Sequence, residues 1–221
     1  MSGKPVAPII LPDAIEAESF RIIEAEIGPH DFSVIEWPVV QRAIHATADF
    51  DLGRSMVFHP RAVEAGVAAI RKGAHVVADV QMIQAGISAA YLAEFGGRVL
   101  CYMADPDIAA KARAEGTTRA IQCMRKAARA APGAIYAIGN APTALLELVR
   151  LVEDGEANPA LIIGVPVGFV SAAESKERLH RQGLVPYITN RGRKGGTPVA
   201  VSITNALLRV ARGHAAEEKG A

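Results

Sequence analysis

AIYAIGNAPTALLELV, residues 134–149, changes its period halfway along. Ala134 to Ile138 is apolar on both faces, as a strand covered on each side requires. From Pro142 the apolar residues return at helical spacing, and a proline is at home in a first helical turn. Gly139-Asn140-Ala141-Pro142-Thr143 joins the two halves. A strand that passes through a turn of small residues into a helix presents backbone N–H groups suited to an anion. This turn matches neither the dinucleotide fingerprint nor the Walker A loop.

The same alternation extends in both directions. HVVAD (75–79), RVLCYM (98–103), AIYAI (134–138), ALIIGV (160–165) and VPYIT (185–189) are short β-branched runs separated by helical stretches, and VAVSITNALLRVAR follows the last. Strands of this kind imply a parallel sheet with helices on both faces. Right-handed crossovers make it an α/β, three-layer, doubly wound sheet, expected to have five strands. In such a sheet the loops after the strands share one edge, where open α/β proteins bind ligands. Asp79, Asp105, Asn140 and the loop 190–196 should gather there. IGNAPTALLEL and IGVPVGFVSAAESKERL both leave a strand through glycine and proline before entering a helix. Such residues also simply turn a chain.

Before residue 74 the pattern is helical. Ile15, Ser19, Ile22, Ile23 and Ile27 form one stripe, Asp13 and Glu16 fit a capping box, and Gly28-Pro29 ends the segment. Ser33 and Glu36 resemble the cap of a second helix, but Pro38 places its regular part near Pro38, running to about Ala48. His59-Pro60 opens a third helix, closed by Gly73. Residues 1–12 and 213–221 have the composition of loose ends, and no linker divides the chain, so a single domain spans 1–221.

Composition limits the function. The chain has 221 residues, half of them hydrophobic, and a formal charge of +1 without a long run of one sign. Nucleic-acid binding, which needs a basic face, is not expected. Cys101 and Cys123 form neither a disulfide framework nor a metal-ligand pattern, which favours the cytoplasm. The apolar run near 160–173 is too short and too broken by glycine and proline to cross a membrane. The N-terminus lacks the apolar core of a signal peptide.

ESFRII (18–23), AIHAT (43–47), VVADVQMIQAGI (76–87), CYMADPD (101–107), GTTRA (116–120), GNAPTAL, GVPVGFVSAAESKERL and NRGRKGG (190–196) occur in the order found in the precorrin-8X methylmutase family, also called cobalt-precorrin-8 methylmutases. Nearly the whole chain takes part in the resemblance. It implies a flavodoxin-like sandwich and an isomerase of cobalamin biosynthesis that uses no cofactor and no protein-bound metal. It further implies a homodimer with active sites at the interface. The expected reaction moves a methyl group from C11 to C12 of a tetrapyrrole-derived polycarboxylate.

A 1,5-shift in a conjugated ring needs no nucleophile. It is eased when a ring nitrogen is protonated, and histidine is the natural donor near neutral pH. His45 matches the family's catalytic histidine, with Asp49 four residues on, one helical turn away. By spacing alone, a histidine beside an apolar stripe is an ordinary structural residue. The resemblance assigns substrate contacts to Arg119, Ser19, Arg21 and Ser88. Arg119 and Arg21 could equally be surface arginines. Gly139, Asn140, Gly164 and Gly168 are expected to offer N–H groups or close approach, and Arg191 charge from the last loop. Two other readings of the fold stay open: a nucleotide- or flavin-binding enzyme, and a non-catalytic tetrapyrrole carrier. The first lacks a glycine fingerprint after the strand at Asp79.

Overall fold

The structure, a computed structural model, describes residues 12–219. The expected loose start and the side chain of the proposed Asp13 cap lie outside the described residues. Helix α1 (Pro12–Ile27) packs on α2 (Trp37–Thr47). Pro38 sits in the first turn of α2. Just before it, Glu36 accepts from the Ser33 N–H and hydroxyl at 2.9 and 2.8 Å, so the pair closes a turn rather than capping the helix.

Two elements then appear that the sequence did not announce. α3 (Phe50–Arg54) is a single short helix, and β1 (Met56–Phe58) pairs antiparallel with the last strand. The sheet therefore has six strands where five were expected. Next come α4 (Ala62–Arg71), β2 (Val76–Ala78), α5 (Gln81–Gly86), α6 (Ala89–Ala93) and β3 (Val99–Leu100). These are followed by α7 (Pro106–Ala114), α8 (Arg119–Ala130), β4 (Ile135–Ile138) and α9 (Pro142–Glu153). The chain continues through β5 (Leu161–Gly164), α10 (Ala172–Gln182), β6 (Tyr187–Asn190) and α11 (Thr197–Lys219). The final helix thus reaches beyond residue 213.

The order across the sheet is β1-β6-β5-β4-β2-β3. Leaving out the antiparallel edge strand β1, the parallel strands follow the flavodoxin-type order, which reverses between β2 and β4. Side-chain alternation along the strands divides the core in two. Val76, Ala78, Ile135, Ala137, Leu161 and Ile163 pack under α1, α2, α4, α5 and α11. Val77, Tyr136, Ile138, Ile162 and Tyr187 pack under α7, α8, α9 and α10. Apolar residues on both faces are the strand pattern seen in the sequence. Asp79, Gly139, Val165 and Arg191 follow the ends of their strands, so their loops share one edge.

Candidate active site

The reversal between β2 and β4 brings Asp79 against the opening turn. Asp79 is fully buried, and its carboxylate accepts from the N–H groups of Gly139, Asn140 and Ala141 at 3.2, 2.9 and 2.8 Å. The anion expected at this turn is therefore the protein's own. Burial pushes the Asp79 carboxyl above its ordinary pKa, against the three amides, which pull it down. This corrects the role given to Gly139 and Asn140 as backbone donors to a ligand. The Asn140 side chain remains exposed. A Cβ on Gly139 would lie 2.8 Å from the Gly196 carbonyl oxygen, so this glycine admits the protein's own chain.

Gly164 is corrected in the same way. It is buried, and a Cβ there would stand 2.7 Å from Leu179 and 2.9 Å from Leu145. It lets α9 and α10 close on β5. Gly168, by contrast, lies in an exposed loop with φ 150°. Its N–H donates to the Arg193 carbonyl at 3.2 Å. Beside it Val167, Phe169 and Val170 are exposed, and the Arg193 guanidinium lies 5.7 Å from the Phe169 ring centre.

His45 sits in the last turn of α2, exposed, its ring edge-on to Phe20 of α1 with the ring centres 5.3 Å apart. Arg42, one turn earlier, lies over the same phenylalanine at 4.9 Å and pairs with Glu16 at 3.0 Å. Arg209 of α11 approaches Glu16 at 3.9 Å. Ser19, on the Phe20 helix, donates its hydroxyl to the Ile15 carbonyl at 2.8 Å, and Arg21 pairs with Glu18 on the exposed surface. Sequence reading missed Phe20 and Arg42 and took Glu16 only for a helix cap. Their signal was the shared 3.6-residue spacing, which places Arg42 and His45 on one face of α2.

Asp49 does not serve His45 as expected. Ala48 takes a left-handed conformation (φ 52°) and ends α2, so Asp49 no longer continues that helix face. It caps α3 by accepting from the Leu52 N–H at 2.9 Å and pairs with Lys194 at 2.8 Å. Lys194 first, and then the Leu52 amide, hold its carboxyl below the ordinary value. This ion pair ties the end of α2 to the loop after β6. That loop carries Arg191, whose side chain is exposed and whose N–H donates to the Ser55 carbonyl at 2.9 Å.

Arg119 opens α8 on the other face of the sheet and is exposed. Its neighbour Thr118 meets Thr143 of the opening turn, hydroxyl to hydroxyl, at 3.4 Å, which brings the α8 N-terminus to the loop edge. Ser88 caps α6 by accepting from the Tyr91 N–H, and its own N–H donates to Asn205 Oδ1 at 2.9 Å. The fold thus brings Gly139, Asn140, Gly168, Arg119 and Arg191 to one edge, with the His45 turn tied to it. Ser88 is bound instead to the flank of α11. Among the described residues no cluster of histidine, cysteine and carboxylates could hold a metal ion, and no helix is long and apolar enough to cross a membrane.

Comparison with known proteins agrees with this architecture. A family model described as precorrin-8X methylmutase matches residues 14–210. The cobalt-precorrin-8 methylmutase of Priestia megaterium is 56% identical over 198 residues, covering 90% of this chain and 88% of its own. The Leptospira interrogans protein of the same name is 46% identical, covering 88% and 91%. A crystal structure of the Thermus thermophilus precorrin-8X methylmutase superposes with a TM-score of 0.83 at 45% identity, covering 91% of this chain and 98% of that one. On the family model spanning residues 14–210 and on these relatives, the chain belongs to the precorrin-8X methylmutase family.

Proposed function

We propose that this protein is an isomerase of cobalamin biosynthesis. It moves a methyl group from C11 to C12 of precorrin-8X, or of its cobalt form, to give hydrogenobyrinate or cobyrinate. The observation that carries this reading is the exposed imidazole of His45, braced by Phe20 beside Arg42 and Glu16. His45 donates a proton to a ring nitrogen, making the π-system cationic. The methyl then migrates with its bonding electrons, and the proton returns to the imidazole, so no net proton is consumed.

The substrate is flat, apolar across its ring and rimmed with carboxylates. Phe169 and Val170, 85% and 81% exposed, offer apolar surface at the sheet edge. Arg119 and Arg191 supply guanidinium groups that can grip carboxylates with paired hydrogen bonds. The Ser19 hydroxyl, Arg21, the Asn140 side chain and the Gly168 loop complete the contact set. His45, Arg119 and Phe169 all lie open on a single chain, which supports a homodimer whose second copy closes over the ring and excludes water. The two free thiols suit the reducing cytoplasm.

The test is turnover with metal-free and cobalt-containing substrate, followed by the product spectrum. His45→Ala should lower the rate by about two to four orders of magnitude while keeping product affinity within about threefold. Wild-type-like turnover by that variant would remove His45 from the reaction. Arg119→Ala should weaken binding without unfolding the chain, and unchanged affinity would reject its role.

A further inference from the structure

Lys176 lies on α10, in the layer opposite His45, and is 1% exposed. Its ammonium donates to two neutral oxygens, Asn190 Oδ1 at 3.2 Å and the Lys194 carbonyl at 2.6 Å. Loss of solvent alone draws its pKa down to about 8. A buried amine facing neutral acceptors is costly, whereas methionine would fill a similar volume without that cost. What the amine contributes is therefore its pair of hydrogen bonds.

Those bonds end on a single loop. The Lys194 carbonyl also accepts from Asn190 Nδ2 at 2.9 Å, and the same amide reaches the Arg191 carbonyl at 3.2 Å. Pinned from beneath, the loop reaches outward to its neighbours. The Arg191 N–H bonds Ser55, the Gly196 N–H bonds Val165, and the Arg193 carbonyl accepts from Gly168. Lys194 Nζ crosses to Asp49 and Asp51, beside the end of α2. A cavity of about 300 Å³ opens under the loop, lined by Lys176, Asn190, Arg191 and His180 but also by Glu174 and Glu177. The two glutamates disfavour an anion there, so the amine serves the loop.

We infer that Lys176 is a positioning residue for the methyl shift. From the far layer it fixes the loop 190–196, and through Lys194 and Asp49 it fixes the turn that carries His45. The inference rests on the proposed reading that this edge holds the substrate.

Amide hydrogen exchange on the full-length protein without ligand tests the pinning. In Lys176→Met, the Arg191 and Gly196 amides should exchange at least about tenfold faster while Tyr136 and Ile138 in β4 stay protected. Unchanged protection in the loop would overturn the inference. Turnover tests the route to His45. Lys176→Met and Lys194→Met should each lower kcat by about tenfold or more, and the double variant should lose no more than the worse single one. Losses that multiply would show two independent effects and sink the proposal. Lys194 is exposed, so its variant should fold even if Lys176→Met does not. Normal turnover by Lys194→Met would break the route by itself. Failure of the wild type to convert substrate would reject the functional reading, while the exchange experiment would still decide the pinning.

Discussion

Asp79 and Asp49 are two carboxylates tied to the same sheet edge, and their surroundings shift them in opposite directions. Asp79 is buried and its carboxyl is raised, so ionising it costs stability as pH climbs from the ordinary 3.8 towards the folded value. Asp49 is lowered, chiefly by Lys194, so its contribution is present above 3.8 and is lost as pH falls through its folded value. Asp79→Ala would orphan three backbone donors and should destabilise the fold by about 3 kcal/mol or more, read from the urea midpoint. Asp79→Asn keeps one acceptor and removes the costly charge, so at pH 7 it should lose less. An equal loss in the two variants would contradict this balance. Asp49→Asn should lower neutral stability slightly, since the pair is partly exposed, and flatten the acid limb of the stability–pH curve below about pH 4 by the same small amount. A carboxylate closing an apolar run such as HVVAD was visible in the sequence. Its partners, some sixty residues away, were not.

The two strand exits through glycine have one explanation at the level of elements. Gly139 and Gly164 allow neighbouring parts of the protein to approach β4 and β5, and both sit where a side chain would collide. The obstacles differ. Gly139 faces the backbone carbonyl of Gly196, which cannot step aside, whereas Gly164 faces the ends of two leucine side chains. Gly139→Ala should therefore cost more stability than Gly164→Ala, for which about 1–3 kcal/mol is expected. It should also slow turnover by displacing the loop before α11. Thermal unfolding of the two variants gives the order, and the reverse order would refute the packing argument. Strongly periodic elements such as α2 and α9 were legible in the sequence because each carries its own apolar stripe, whereas α1 buries only Ile23 and Ile27 of its expected stripe and leaves Ile15 and Ile22 exposed. β1 was not, because three residues have no pattern of their own and become a strand only by pairing with β6. β3 shrank to Val99–Leu100 for a related reason: it borders the sheet and pairs with β2 alone.

At the scale of the whole molecule, His45 and Arg119 belong to helices that cover opposite faces of the sheet. In the proposed dimer, Arg119 of one copy serves the ring held by His45 of the other. Light scattering should then give twice the 23.3 kDa chain mass. Mixing His45→Ala with Arg119→Ala, each nearly inactive, should restore about a quarter of wild-type activity, because half the dimers are mixed and each has one intact site. No recovery after subunit exchange would place both residues on one chain and overturn the arrangement.

The sequence by itself determined the alternation of strands and helices from residue 74 onward, the edge where the loops collect and the family. These properties follow from period, length and local turn chemistry, which are written within short windows. Tertiary structure alone decided which polar groups meet. Asp79 took the amides of the opening turn, Lys194 took Asp49 away from His45, Lys176 came under the last loop, and an edge strand joined the sheet. Each of these depends on a long-range approach set by the packing of whole layers, and residue spacing along the chain does not encode that distance.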